Sequence, residues 1–256
     1  MRRFDDEQYD VLAKRWVSKV ADDWYDAVTN SVTNSTVERN FKLQSIPEKR
    51  FKHTNVHLIK CGSQEAIQLF AGDGKLCVLN YASYKGPGGG FIKGKMAQEE
   101  ALCHWSSLYP VLNEFRNEYT SRLNRLNNGY YHEDFIYSPD VLFSREQYST
   151  DNPIKADVLT YAAPCMLRRP KTDEYYDIWR TRLVNALVYP AFHGADKYII
   201  GAWGCGVFCN SPRFVAEVWD AIMPYVDGLY SDIIYAIPDG KNFYAFKDVL
   251  KNNLCQ

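Results

Sequence analysis

Two adjacent carboxylates, Glu99 and Glu100, follow closely on a run of three glycines, Gly88, Gly89 and Gly90. The chain reads NYASYKGPGGGF, then a short link, then Gln98-Glu99-Glu100 at the head of a stretch of helical composition. Glycines lack a Cβ and let backbone N–H groups approach an anion closely, and a helix N-terminus adds partial positive charge. A phosphate could thus be held beside two acids. Adjacent helix residues diverge by about 100°, so only one of the two faces such a ligand squarely. Like-charge repulsion and burial favour the neutral acid, while the helix terminus favours the anion. If the first two prevail, that acid can donate a proton at neutral pH. The same features also suit a flexible surface loop and an ordinary acidic first helical turn. The loop is not a Walker A element, since no Gly-Lys-Ser/Thr follows, and it lacks the dinucleotide-fold glycine spacing.

A second small-residue loop runs Gly201-Ala202-Trp203-Gly204-Cys205-Gly206-Val207-Phe208-Cys209-Asn210-Ser211-Pro212. It repeats the order of the first, with a strand before it and a helix after it that is capped by Asn210 or Ser211. Two such loops at the carboxyl ends of parallel strands could clamp one diphosphate. Phe208 could stack on a base or sugar, or serve as a satellite core aromatic. Cys205 and Cys209 make one loose pair with no second set, and His53, His57, His104, His132 and His193 show no ligand spacing. Neither a metal nor a cofactor is expected. Seven irregularly spaced cysteines in a chain of this length read as reduced thiols, and Cys205 has no identifiable base to make it a nucleophile.

The elements that would carry these loops are legible as alternating short apolar runs and helical stretches. Strands are expected at 56–60, 76–80, 156–163, 198–203 and 233–237, rich in Val, Ile, Leu and Tyr. Helices are expected at 64–71, 98–107, 174–192, 213–226 and 243–251. Tyr9, Leu12, Trp16, Val20, Trp24 and Val28 recur at three- and four-residue steps, which predicts an amphipathic N-terminal helix over 6–28. A polar, irregular connection follows. The segment 113–153 reads as a short helix, a turn at Asn127-Asn128-Gly129 and an extended piece at 135–137. The fold expected is α/β, a three-layer α/β/α sandwich with a parallel or mixed sheet. An N-terminal helical extension would occupy 1–52 and the main domain 53–256.

A chain of 256 residues with 46% hydrophobic and 15% aromatic residues can build a sizeable core, which excludes disorder. Thirty Lys+Arg against thirty-one Asp+Glu give a net charge of −1 and no global field for nucleic acid or an anionic membrane. No long apolar run and no signal-peptide pattern are present, so a soluble, cytoplasmic protein is expected.

Gly88-Gly89-Gly90, seven residues, then Gln98-Glu99-Glu100 resembles the signature of poly(ADP-ribose) glycohydrolases, a macrodomain-fold family. VLNYASYKGPGGGF, AQEEALCHWSSLYP, YSPDV, the AAP of LTYAAPC and GAWGCGVFCNSP resemble, in order, blocks of its microbial-type branch. The similarity runs from about 34 to 251. It implies a mixed sheet flanked by helices, binding of ADP-ribose, and metal-free cleavage of the ribose–ribose O-glycosidic bond of poly(ADP-ribose). By position, Glu100 would be the catalytic acid and base, and Glu99 would orient ribose hydroxyls. Asn80 would touch the distal ribose. Gly88, Gly89 and Gly90, with Gln98 beside them, would form the first cradle. Gly204, Gly206, Val207 and Phe208 would form the second. Its partners would be ADP-ribose or poly(ADP-ribose), with ADP-ribosylated proteins left open, bound by a monomer.

The pattern departs from that of many macrodomains after the first main-domain strand. Ser63 stands where an adenine-reading Asp is expected, so Glu65 or another group would have to take that part. Cys209 precedes Asn210 where the related pattern has glycine. The same carboxylate pair would also serve removal of ADP-ribose from a protein side chain or nucleobase. A non-catalytic ADP-ribose reader would not need an acid beside a diphosphate, and a generic nucleotide hydrolase would show metal dependence.

Overall fold

The stretch LCVLNY is apolar on both faces until its last two residues, as a central parallel strand must be. The computed structural model describes residues 6–83, 85–121, 133–166, 172–251 and 254, and it builds the molecule around that strand. In chain order the elements are α1 (Asp6–Asp23), α2 (Tyr25–Asn34), β1 (Thr36–Glu38), β2 (Asn55–Ile59), α3 (Ser63–Phe70) and β3 (Leu76–Tyr81). A 3-10 turn (Phe91–Lys93) precedes α4 (Gln98–Cys103), α5 (Leu108–Glu114), α6 (Arg116–Ser121), β4 (Phe135–Phe143) and β5 (Ile154–Tyr161). The chain closes with α7 (Asp173–Phe192), β6 (Lys197–Ile200), α8 (Pro212–Val226), β7 (Asp232–Ala236) and α9 (Lys241–Leu250).

The seven strands form one mixed sheet in the order β1-β4-β5-β3-β6-β7-β2. The pairs from β5 through β2 are parallel, while β4 runs antiparallel to β5 and β1 antiparallel to β4. Alternate residues of β3 feed two cores. Cys77 and Leu79 meet Trp179 of α7 and Trp219 of α8, whereas Leu76 and Val78 meet Trp16, Ile67, Leu102 and Leu108 on the opposite face. Helices therefore cover both faces, as the three-layer expectation requires. No helix among the described residues is long and apolar enough to cross a membrane. The six described cysteines are free thiols.

Several boundaries differ from the sequence reading. The helix expected over 6–28 breaks at Trp24, whose φ/ψ of −122°/24° is non-helical. There the indole turns inward, donates to Thr150 O at 3.2 Å and stands edge-on to Trp16. Burying so large a ring contributes roughly 1.5–3 kcal/mol, more than one kinked turn loses. The polar stretch after it is not wholly irregular, since α2 reaches Asn34 and β1 pairs with β4 through Val37 opposite Ile136. The extended piece expected at 135–137 is the first third of β4. Pro139 and Asp140 hid the rest, because they sit at a bulge where the register shifts and no ladder donor is needed. The helix expected over 98–107 stops at Cys103. The turn expected at Asn127-Asn128-Gly129 lies outside the described residues.

Candidate active site

Helix α4 has only six residues and no side-chain hydrogen bond at its N-cap, Ala97, so its placement must come from its neighbours. Gln98 supplies most of it. Its Oε1 accepts from Tyr81 N–H at 2.8 Å, and its Nε2 donates to Leu79 O at 2.9 Å and to Ser63 Oγ at 3.0 Å. One amide thus joins the end of β3, the start of α4 and the first turn of α3. At the other end the Trp16 indole of α1 donates to both Cys103 O and Ser106 O at 3.1 Å. The acids lie between these two anchors.

The two glutamates are both buried but differently engaged. Glu99 Oε2 accepts from Ser83 N–H at 2.6 Å. Its Oε1 accepts from Gly88 N–H at 3.2 Å and, more loosely at 3.4 Å, from Asn80 Nδ2 and the Tyr119 hydroxyl. Burial pushes the Glu99 carboxyl up to about 8, against the opposing pull of the Ser83 N–H, the Asn80 amide and the Gly88 N–H. Glu100 Oε1 accepts from Gly90 N–H at 2.8 Å. Its Oε2 is buried and takes no hydrogen bond from any described residue. One acid is encased by protein donors, and the other is held by one oxygen, its second having no donor among the described residues.

The first glycine loop does something other than expected. Its N–H groups, read as a phosphate cradle, are turned on the carboxylates at residues 88 and 90, and Gly89 N–H closes a turn onto Gly86 O at 3.1 Å. Close approach is why these positions lack side chains. Gly89 has φ +57°, and a Cβ there would lie 2.5 Å from Glu100 Oε1. A Cβ on Gly90 would lie 2.6 Å from Lys95 Cγ, and one on Gly88 2.6 Å from the Tyr109 ring.

The second loop is locked at its base and open at its tip. Asn210 is buried with all four amide valences used: Nδ2 donates to Pro164 O and Gly204 O at 2.8 Å, and Oδ1 accepts from the Tyr175 hydroxyl at 3.0 Å and Trp179 Nε1 at 3.1 Å. Ser211, not Asn210, caps α8. Gly204 has φ +73° and packs so closely that a Cβ would meet Ala163 at 2.6 Å. Buried Arg182 of α7 steadies the segment after β5 by donating to Ala162 O while paired with Glu133 at 2.8 Å. Cys209 tolerates φ +58°, the conformation that the glycine of the related pattern would adopt freely. Val207 is exposed, and half-buried Phe208 packs beside Ala82 and Ala162.

Both loops, Glu99 and Glu100 line one cleft of about 1530 Å³ over the carboxyl ends of β3, β6, β7 and β2. Gly89, Gly90, Gln98, Gly204, Gly206, Val207 and Phe208 all reach it. Asn80 and Gly88 do not: they stand behind the acids, and Asn80, expected at the distal ribose, spends its Nδ2 on Glu99 and Thr160. Glu65 is absent from the cleft wall, because its carboxylate closes the α3 capping box on Gly62 N–H at 3.0 Å. One wall segment escaped the sequence reading, residues 236–242 at and beyond the end of β7, while Ser63, placed at the adenine-reading position, lies in the wall with Gly62 and Gln64 after β2. The signal that could have found it is the rule that loops at the carboxyl ends of parallel strands build the site. Tyr9 of α1 was read only as part of a packing stripe, yet it also lines the cleft.

Residues 4–146 match the family model described as microbial-type PARG, catalytic domain. Among solved structures the chain is similar to a poly(ADP-ribose) glycohydrolase from Thermomonospora curvata bound to the inhibitor ADP-HPD. The TM-score is 0.83 at 25% identity, over 94% of this chain and 99% of that one. It also shares the fold of a poly(ADP-ribose) glycohydrolase from Deinococcus radiodurans in complex with ADP-ribose, with a TM-score of 0.75 at 24% identity, over 88% and 97% of the two chains. No curated protein sequence matches it.

Proposed function

The chain belongs to the microbial-type PARG family, whose model spans more than half of it, and from that premise we propose that it binds ADP-ribose in the cleft and hydrolyses the ribose–ribose O-glycosidic bond of poly(ADP-ribose), with Glu100 as general acid and base. The observation that carries the assignment is the division between the acids. Glu100 has one oxygen fixed by Gly90 N–H and a second without a protein partner, in the cleft wall. Glu99 is occupied by four donors.

In this scheme Glu100 protonates the departing oxygen as positive charge develops at the distal ribose C1″, and the diphosphate of the bound unit stabilises that charge. The resulting carboxylate then takes a proton from the attacking water, which restores the acid and completes hydrolysis. Proton transfer of this kind contributes roughly 10²–10⁴-fold, and the remainder comes from positioning and electrostatics. The second loop receives the diphosphate through its N–H groups near Gly206 and Val207, with Phe208 beside the ribose or base. The first glycine loop acts mainly by fixing the acids. Gln98 and Asn80 act through the acids as well, the first by anchoring α4 and the second by holding Glu99.

Glu100→Gln tests the assignment. The variant should lose ADP-ribose release from polymer by at least about 10²-fold, while calorimetric binding of free ADP-ribose persists. Substantial residual hydrolysis by the folded variant would assign the proton transfer elsewhere.

A further inference from the structure

Cys209 carries a thiol where its backbone favours a residue without a side chain. At φ +58° glycine would sit unstrained, and Cys209 is exposed there with its Sγ 3.5 Å from Val207 O. A thiol is a weak hydrogen-bond donor, so this contact is easily exchanged for another. The other cysteine of the loop, Cys205, is buried, and burial pushes its thiol up to about 12.

The segment that leaves β5 lies across from Cys209. Two hydrogen bonds clip it to the loop, one from Met166 N–H to Phe208 O at 2.8 Å and one from Asn210 Nδ2 to Pro164 O at 2.8 Å. The first joins the residue after Cys165 to the residue before Cys209, and the second joins the residue before Cys165 to the residue after Cys209. The two segments therefore run in opposite directions with Cys165 and Cys209 at the middle. Residues opposed in antiparallel pairing have Cα atoms about 4.5–5.5 Å apart, inside the roughly 4.4–6.8 Å that a disulfide spans. Cys165 is half-buried and packs on Ala82 and Ala162, the two residues on which Phe208 also packs. Its side chain thus shares a patch with the residue that precedes Cys209.

We propose that Cys165 and Cys209 form a dithiol that a peroxide converts to a disulfide, which staples the second loop to the segment after β5. The exposed Cys209 reacts first. Its thiolate attacks one oxygen of hydrogen peroxide, the O–O bond breaks, and a sulfenic acid and hydroxide form. The Cys165 thiolate then attacks the sulfenic sulfur, the S–S bond forms and a second hydroxide departs. The two thiol protons neutralise the two hydroxides, so one peroxide and two thiols give one disulfide and two waters. Each sulfur gives up one electron, and the peroxide takes both. The bridge closes a loop that holds all of α7 and β6, so it also restricts the unfolded chain. It tightens the base that Asn210 already holds and lies outside the tip at Gly206 and Val207. The staple needs only the two thiols and the fold, and it stands apart from the glycohydrolase reading.

The test treats the full chain with hydrogen peroxide and then with dithiothreitol, and maps the bridge by mass spectrometry of unreduced peptides. Wild type and Cys205→Ser should each give a linked peptide pair containing Cys165 and Cys209 that is lost on reduction. Cys165→Ser and Cys209→Ser should give none. Oxidation should raise the melting temperature of wild type by roughly 4–10 °C, the scale for closing a long loop in a chain of this size, and reductant should reverse it. The same treatment should leave Cys165→Ser and Cys209→Ser within about 2 °C of their reduced forms. Calorimetric Kd values for free ADP-ribose should agree within about threefold between reduced and oxidised wild type. A bridge between Cys205 and Cys209, a link between two chains, or no bridge in folded wild type would overturn the pairing. A bridge that forms without raising the melting temperature would overturn the staple, since the native loop would then have to distort to close it. ADP-ribose binding weakened beyond threefold on oxidation and restored by reductant would overturn it for the same reason. Failure of the reduced protein to bind ADP-ribose would instead overturn the glycohydrolase reading, and the mapped bridge and melting curves would still decide the staple.

Discussion

Gly89→Ala separates a glycine run that serves the acids from one that is merely flexible. Gly89 has φ +57°, and left-handed backbone costs a residue with a Cβ about 1–2 kcal/mol. The added Cβ would lie 2.5 Å from Glu100 Oε1 and 3.2 Å from Glu99 Oε2, where ordinary contact begins at 3.4 Å. Glu100 Oε1 must therefore retreat by about 3.4 − 2.5 = 0.9 Å, and the 2.8 Å bond from Gly90 N–H lengthens or breaks with it. A displacement of about 1 Å at a reacting group costs about 10²-fold in rate. The backbone strain alone corresponds to a melting temperature lower by roughly 2–8 °C, well short of unfolding. Single-turnover release of ADP-ribose from polymer, with a melting curve on the same sample, reads both quantities. The expected result is a folded protein with kcat down about 10²-fold and KM for polymer changed by less than about threefold. A folded variant that keeps half or more of the wild-type kcat would refute the role given to the loop.

Asn210→Ala removes four buried side-chain hydrogen bonds, so it should destabilise the protein by about 3 kcal/mol. In urea unfolding that appears as a lower midpoint at unchanged slope, and calorimetry should show weaker ADP-ribose binding because the second loop loses its base. Glu99 and His104 give stability opposite dependences on pH. The Glu99 carboxyl is raised from 4.5 to about 8, so the folded protein holds a proton there that the unfolded chain releases, and this contribution is lost as pH rises through that window. Burial lowers His104 from 6.5 to about 4, so its contribution is present above 6.5 and lost as pH falls towards 4. Urea midpoints between pH 4 and 9 should show both declines for wild type, and Glu99→Gln and His104→Gln should lose the alkaline and acid declines respectively. If Glu99→Gln declines from pH 5 to 9 as steeply as wild type, Glu99 is not the group responsible.

The sheet and its flanking helices were legible because period and composition report burial directly. β2, β3, β5, β6 and β7 are short runs of Val, Ile, Leu and Tyr, and each lies within three residues of its expected boundaries at both ends. Elements whose stability comes from a distant partner were not legible. β1 is three half-buried residues in a polar stretch, held by pairing with β4 about a hundred residues later. The break at Trp24 depends on Thr150 O. At the site, the loops and acids were legible from residue type, but the direction of N–H groups was not. Gly88 and Gly90 looked like donors to a ligand, yet their N–H groups meet Glu99 and Glu100. Residues 236–242 went unnoticed because Pro238, Asp239 and Gly240 are residue types common to any surface turn and carry no chemical signature of their own.

Adjacency in sequence says nothing about which of two glutamates is held and which is available, and the donors decide it. The side chains of residues 99 and 100 leave α4 about 100° apart. On the Glu99 side the chain delivers Ser83 N–H as β3 exits, Gly88 N–H from the loop, Asn80 from the strand and Tyr119 from α6. These four groups come from parts of the chain that otherwise have no reason to meet, so Glu99 is the point at which strand, loop and helix converge. On the Glu100 side the protein delivers a single N–H. Exchanging the roles would leave several buried donors unsatisfied at roughly 1–3 kcal/mol each, an asymmetry that supports the proposed assignment. The difference within the pair therefore reduces to one of solvation: the first acid completes the architecture, and the second keeps one oxygen without a protein donor among the described residues.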